Sequence, residues 1–318
     1  MIPYLSFNRL PLTVGFFLFA HLISNAQGCS DAGFCTMGAM RPNQSFSSKK
    51  TAVKVRSIEL LQYVGVTKFD DVIMTSLADL NVGIGKKGSL QFKLPYTFVS
   101  GPLANTNGFS DIVCSYTHVL LMKRTFQVSG TLGGKLPTNN SNLLSSDNRA
   151  LPMYYQSSLG TYDLVFGLAL VSRKWLLATG YQMPFNQNGS QFTWAQWNGS
   201  ELKPVAVEYP PSWNLKRGND IMFRVERNFR STKWNAYVGL LTIYRINEDV
   251  ISKVTADNRV EVANTTGAAV TALFGVGYRF STALAIKAMY GDKLINRETN
   301  PDGLSREYVT SLSLEIRL

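Results

Sequence analysis

Apolar and polar side chains alternate along most of this chain, in short stretches separated by turn residues. The stretches at 90–98, 221–225 and 270–280 show this period of two. The alternation at the C-terminus is the clearest, and its mostly apolar face consists of Tyr308, Thr310, Leu312, Leu314, Ile316 and Leu318. Successive side chains of a β-strand point to opposite faces, so the pattern predicts strands with one apolar and one polar face.

The lengths of the connections between these stretches also alternate. We predict strands at 53–66, 71–84, 90–99, 109–121, 126–136, 159–171, 175–185, 219–229, 234–246, 267–280, 283–291 and 307–318. Short connections such as 172–174 take turns with long ones such as 137–158 and 186–218, and only Thr67–Asp70 is short where a long loop is due. Short periplasmic turns and long outer loops are typical of bacterial outer-membrane barrels.

The sequence therefore predicts an all-β fold, a transmembrane antiparallel β-barrel of the outer-membrane type that spans residues 52–318. We expect about twelve strands, with ten or fourteen as alternatives. An even number of strands places both termini in the periplasm. Because lipid offers no hydrogen-bond partner for an open sheet edge, the last strand must pair with the first.

The alternation of side chains along each strand also predicts which charged side chains face the barrel lumen. A Lys or Arg on the lipid face at mid-bilayer costs about 2–4 kcal/mol, so charges that alternate with the apolar set are expected to point inward. These residues are Lys93, Arg224, Glu226, Arg279, Lys287, Glu315 and Arg317. We expect them to pair across the lumen.

Composition fits this fold and argues against nucleic-acid binding. Hydrophobic residues make up 45% and the mean hydropathy is −0.02, which suits strands with only one lipid-facing side. The net charge is +11, but the basic residues are dispersed and form no focused track for phosphates. A basic lumen or attraction to anionic outer-membrane lipid is therefore the expected role of this charge, and not nucleic-acid binding.

The N-terminal residues carry the pattern of an exported protein. Arg9, the apolar run 11–23 and the small residues before Gln27 predict a signal peptide over 1–26. Residues 27–51 lack a strand pattern and are expected to lie in the periplasm or to plug the lumen. In an oxidising compartment Cys29 and Cys35 are close enough for a disulfide, with lipidation of Cys29 as the alternative. Cys114 then remains alone on a predicted strand.

The middle of the chain carries several short motifs at regular spacing. They are Pro95-Tyr96, Gly108-Phe109-Ser110-Asp111-Ile112, Gly134-Lys135-Leu136-Pro137-Thr138, Gly160-Thr161-Tyr162-Asp163, Gly167 and Gly180-Tyr181-Gln182. This segment resembles the outer-membrane "transporter" channels of the aromatic-degradation (MetA-pathway) type, relatives of FadL-like β-barrels. It departs from that pattern at Ser110 and Asn139, where the family usually has Gly. The resemblance implies a passive channel for small hydrophobic or aromatic molecules.

Catalytic chemistry has little support in the sequence. His118 is the only histidine after the predicted signal peptide, and no Ser or Asp motif marks it as an activated group. No cluster of metal ligands and no nucleotide-binding motif is present, so we expect no enzyme activity, no cofactor and no metal.

The long connection 186–218 is rich in aromatic residues, among them Trp194, Trp197, Tyr209 and Trp213. We interpret it either as a surface for other outer-membrane proteins or as a self-packed loop that caps or gates the barrel. Two functions follow as hypotheses: a passive channel, or a non-transporting subunit of an outer-membrane complex.

Overall fold

The computed structural model describes residues 53–253 and 256–318. The predicted signal peptide, the predicted extension 27–51 and the Cys29–Cys35 pair lie outside these residues. The strands are β1 Val53–Val66, β2 Val72–Ile84, β3 Gly88–Ser100, β4 Asn105–Phe109, β5 Ile112–Met122, β6 Phe126–Leu136, β7 Asp163–Ser172, β8 Trp175–Pro184, β9 Asp220–Arg230, β10 Trp234–Arg245, β11 Asp249–Lys253, β12 Ala256–Val262, β13 Gly267–Arg279, β14 Leu284–Ile295 and β15 Tyr308–Arg317. A short helix, α1, spans Lys203–Ala206. In the described part of the chain, no helix has the length and apolar character needed to cross a membrane.

Thirteen of these strands form one antiparallel sheet that closes on itself. β4 and β5 both pair with β3 and together form one interrupted strand of the wall, so the barrel wall has twelve strands. β1 closes the barrel by pairing with β15, from Ser57 opposite Arg317 to Val66 opposite Tyr308. The predicted fold class, the twelve strands and the predicted closure are confirmed.

One predicted connection differs from the structure. We expected a long loop over 100–108, but a tight turn at 101–104 leads directly into β4, which pairs with the outer end of β3. The polar sequence of Asn105–Phe109 is typical of a turn, and only the pairing with β3 makes it a strand. The wall strand formed by β4 and β5 is interrupted at Ser110, whose N–H donates to the carbonyl of Pro95.

All the long connections lie at the same end of the barrel. We call this end the loop end and the opposite one the turn end. The loop-end connections 137–162, 185–219, 246–266 and 296–307 are long, and Thr67–Asp71 is a tight turn there, as predicted. The connection 246–266 contains a hairpin of β11 and β12, which the alternation did not distinguish from loop. Val53 and Leu318 both lie at the turn end, where the Leu318 N–H donates to the carbonyl of Arg56.

The two faces of the barrel wall differ in chemistry. Exposed apolar side chains such as Phe92, Leu132, Phe166, Phe223 and Leu240 cover the outside. Aromatic residues flank this surface, with Trp175, Trp234 and Phe280 at the turn end and Tyr162, Phe185 and Tyr244 at the loop end. Buried polar residues alternate with them on the inside, so the outer surface matches a bilayer core with interfacial aromatic girdles.

Candidate functional site in the barrel lumen

The seven predicted lumen charges lie on the inner wall, although their pairing differs from the expected pattern. Lys287 of β14 binds Glu59 of β1 at 3.0 Å and Glu315 of β15 at 2.9 Å. These three strands are neighbours at the closure of the barrel. Arg224 binds Glu226 on its own strand, with Nε donating to Oε1 at 2.6 Å. These pairs therefore run along the wall and do not cross the lumen.

The lumen holds a cavity of about 310 Å³ that reaches from the turn end past the middle of the barrel, to Tyr63, Thr75 and Val309. Its lining reaches Ser231, Thr232 and Lys233, which form the turn between β9 and β10. The charged residues that line it are Glu59, Asp79, Lys93, Arg224, Arg230, Lys233, Arg279, Lys287, Glu315 and Arg317. Glu226 is fully buried beside Arg224 and does not line the cavity. We call this space the lumen cavity.

Part of the wall of the lumen cavity is apolar. Tyr237, Leu241 and Leu273 line it and belong to a buried cluster that the strands β5 to β13 contribute to the inside of the barrel. The remaining members of this cluster are Val113, Val165, Ala169, Leu176, Ala178 and Met222. The lumen cavity therefore has an apolar wall, and Arg224, Arg230 and Arg279 reach its lining from β9 and β13, which also contribute to the apolar cluster.

The loops fold inward over the opposite end of the lumen. Tyr154, Tyr155, Phe192, Trp197 and Tyr209 are buried there in a second apolar cluster, which we call the inner loop cluster. A smaller cavity of about 80 Å³ lies between these loops and the strands, and its lining shares Thr75 with the lumen cavity. Thr75 and Thr97 are joined by a hydrogen bond of 2.8 Å, so polar side chains lie between the two cavities.

Asp71 anchors the inner loop cluster to the tight turn between β1 and β2. Its carboxylate accepts hydrogen bonds from the hydroxyls of Tyr155 at 2.5 Å and Tyr209 at 2.8 Å. Thr67 donates a third bond at 3.0 Å. Burial raises the pKa of Asp71 above its ordinary value, although these three donors act against the shift. The short connection between β1 and β2 thus holds two of the long loops through the Asp71 carboxylate.

A network of buried ions joins the loops to the ends of the strands, and we call it the loop-end ion network. Arg245 binds Asp220 at 2.8 Å, Asp249 at 2.7 Å and Asp302 at 2.9 Å. Arg217 contacts Asp302 at 3.6 Å, and Arg297 contacts it at 3.8 Å. Burial alone would raise the pKa of Asp302, but the three guanidinium groups outweigh burial and hold the pKa well below its ordinary value. Asp302 is therefore ionised and joins its own connection 296–307 to the loop of Arg217 and to the end of β10.

The motifs that carry the family resemblance meet in the same region. Lys135 lies 3.3 Å from Asp111 and 3.0 Å from Asp163. Gln182 donates to Asp163, and Arg217 binds the same carboxylate at 3.1 Å. The sequence indicated only that these residues mark strand ends. Their convergence required the register of β5, β6, β7 and β8, which places the ends of these strands side by side.

The four aromatic residues of the predicted partner or gating loop do not form one exposed surface. Trp197 and Tyr209 are buried in the inner loop cluster, and the Trp197 indole N–H donates to the carbonyl of Ala150 at 3.0 Å. Trp213 is half-buried, and Trp194 is exposed, with its indole N–H donating to the carbonyl of Tyr209 at 2.8 Å. Most of this loop thus packs on itself and over the lumen.

The residues considered for catalysis lie away from the lumen. His118 is half-buried on the outer face of β5, and its Nδ1 lies 3.1 Å from the Tyr116 hydroxyl. Cys114 is a half-buried free thiol on the same face. Among the described residues, no group of three His, Cys, Asp or Glu side chains is arranged to hold a metal ion.

Similar proteins are found among solved structures. No protein-family model and no curated protein matches the chain. An outer membrane channel from Pseudomonas putida F1 has a TM-score of 0.57 at 14% identity, over 87% of this chain and 99% of that one. The NanC porin has a TM-score of 0.45 at 8% identity, over 82% and 98% of the two chains. The outer membrane phospholipase A from Escherichia coli has a TM-score of 0.40 at 9% identity, over 84% and 98%.

These similarities bear on the fold and leave the predicted family and activity open. Identities this low do not test the resemblance to aromatic-degradation channels or to FadL-like barrels, and the absence of catalysis stays a prediction. The Pseudomonas channel supports the barrel architecture over most of both chains. The described chain thus has the fold of a twelve-stranded outer-membrane β-barrel.

Proposed function

We propose that this protein is a channel of the bacterial outer membrane through which small hydrophobic or aromatic solutes pass passively. The observation that carries the proposal is the lumen cavity of about 310 Å³, with the apolar wall of Tyr237, Leu241 and Leu273. A barrel whose inside served only to support the wall would need no apolar surface next to an open space. A solute with an apolar body finds its complement on this wall. The Pseudomonas protein of similar fold is described as an outer membrane channel, which agrees with the proposal.

The test is conductance and solute flux of the purified full-length protein in lipid bilayers. We expect discrete conductance steps, and uptake of a small aromatic solute into proteoliposomes. Leu241→Trp would narrow the lumen cavity, because Leu241 lines it, and would reduce both signals. Leu240→Trp is the matched control, since Leu240 is the next residue on β10 and points outward with 49% of its surface exposed. A folded wild-type barrel without steps or flux would contradict the proposal.

The orientation of the barrel is part of the same proposal. We expect the turn end and both termini in the periplasm and the loop end outside the cell, as in outer-membrane barrels with short periplasmic turns. An epitope tag inserted after Asn148, in an exposed loop-end turn, should bind antibody on intact cells. A tag after Arg124, in the turn between β5 and β6, should bind only after the outer membrane is permeabilised. The reverse pattern would overturn the orientation.

The alternative function, a subunit of a larger outer-membrane assembly, has one supporting observation. Trp194, Leu202 and Val207 expose apolar surface on the loop that otherwise packs over the lumen. Native purification from outer membranes tests it: stoichiometric recovery of a second outer-membrane protein, lost in a Trp194→Ser, Leu202→Ser double variant, would favour the subunit function. Recovery of the barrel alone would favour the channel.

A further inference from the structure

The lining of the lumen cavity carries far more positive than negative charge. Seven of its charged residues are Lys or Arg and three are Asp or Glu, so the lining has a net charge of 7 − 3 = +4. Glu226 binds Arg224 just outside the lining, and counting it as well leaves +3. The three lining acids already have partners in the wall: Lys287 binds Glu59 and Glu315, and Gln91 donates to Asp79. Pairing within the wall therefore does not remove the excess.

The turn end extends this positive charge to the mouth of the lumen. The connections 85–87, 123–125 and 173–174 each contain two basic residues, and none of the five turn-end connections contains an acid. Three strands also end there in an arginine that lines the cavity, namely Arg230, Arg279 and Arg317. Like charges around a narrow, low-dielectric opening add together and concentrate ions of the opposite sign. Rings of Lys or Arg are a known basis of anion selectivity in pores.

The loop end does not share this excess. The buried cations Lys135, Arg217, Arg245 and Arg297 contact the carboxylates of Asp111, Asp163, Asp220, Asp249 and Asp302, so four positive charges face five negative ones. The positive potential is therefore a property of the turn half of the lumen, next to the apolar wall. A solute in this cavity meets both an apolar surface and an excess of cations.

We infer that the solutes of this channel are small amphipathic anions, with an apolar or aromatic body and a carboxylate or similar anionic group. The apolar wall of Leu241 and Leu273 receives the body, and the cations that line the same cavity attract the anionic group. A cavity of about 310 Å³ is at the lower end of the volumes that hold drug-sized ligands, which suits a single-ring molecule. This inference rests on the proposed channel function and adds the charge of its solutes.

The experiment measures ion selectivity of the full-length protein in planar bilayers. In a potassium chloride gradient we expect a reversal potential that shows chloride to be more permeant than potassium. Lys233→Glu with Arg279→Glu lowers the lining charge by four units, from +4 to 0, and we expect it to abolish the preference for chloride. Neither residue forms an ion pair with a described residue, so their replacement leaves the described pairs of the wall intact. Lys233→Gln with Arg279→Gln removes half as much charge and should give an intermediate reversal potential. It serves as the second test if the glutamate variant folds poorly.

Arg173→Glu with Lys174→Glu is the matched control. These residues lie exposed at the same end of the barrel and do not line the lumen cavity, so the same change in charge should shift the reversal potential by a clearly smaller amount. A second measurement compares benzoate with benzylammonium, which have similar rings and opposite charges. We expect benzoate to be the more permeant. Equal permeation of benzoate and benzylammonium, or equal shifts of the reversal potential in both double variants, would overturn the inference and leave the proposed channel function in place. No conductance at all would contradict the channel itself.

Discussion

At the scale of single residues, the period of two along the strands predicted much of the lumen. Lys93 and Arg224 alternate with exposed apolar neighbours, and their inward positions follow from the cost of a charge in lipid. Asp71 and Asp302 could not be predicted in the same way, because they lie in connections where no alternation applies. Their roles depend on partners far away in sequence, such as Tyr209 for Asp71 and Arg217 for Asp302.

Asp302→Asn should destabilise the barrel strongly. The carboxylate contacts three buried guanidinium groups, and its loss leaves Arg217, Arg245 and Arg297 with less compensation in a region closed to water. Breaking a buried ion pair on one side costs about 3–5 kcal/mol, and we expect a loss of this size in the free energy of unfolding. Urea unfolding of the protein in lipid vesicles measures it. Asp147→Asn, at an exposed position of another loop, is the control, and equal stability of the two variants would show that the network contributes little.

At the scale of elements, the sequence predicted the strands well and the loops poorly. Strands that face lipid on one side and the lumen on the other must alternate, so β1 and β6 have the predicted bounds. β4 and the hairpin of β11 and β12 extend above the apolar belt, where alternation is not required by lipid. The sequence also left open whether the aromatic loop 186–218 packs inward or forms a surface for other proteins. Exposed and buried aromatic loops have similar compositions, so composition alone does not decide between them.

Trp197→Ala should release the loop 185–219 without unfolding the barrel. Trp197 is 1% exposed in the inner loop cluster and bonds to Ala150, while the strands on either side of the loop are held by their own pairing. Truncation of a buried Trp costs about 3–5 kcal/mol, which exceeds the stability of many single loops. We expect faster hydrogen exchange over 194–209 and unchanged exchange in β8 and β9. Trp194→Ala, at a 45% exposed position, should have a much smaller effect, and equal effects would argue against the inner loop cluster as the anchor.

At the scale of the whole molecule, three kinds of interaction fix the barrel. Hydrogen bonds between neighbouring strands close the wall into a ring, from β1 with β2 round to β15 with β1. The apolar outer belt matches the wall to lipid. The loop-end ion network and the inner loop cluster fill the loop end from within. The lumen cavity is the part of the interior that these contacts leave open.

The depth of the barrel in the membrane can be tested on one strand. Leu240 and Tyr244 both point outward from β10, with 49% and 47% of their surfaces exposed, but Leu240 lies at the middle of the strand and Tyr244 near its loop end. An arginine at mid-bilayer costs about 2–4 kcal/mol on the lipid face and about 0–1 kcal/mol near the interface. We therefore expect Leu240→Arg to lower the free energy of unfolding in vesicles by the larger amount and Tyr244→Arg by the smaller. Equal costs would place the apolar belt elsewhere along the barrel axis, and the absence of any cost at either position would show that this face of β10 does not contact lipid.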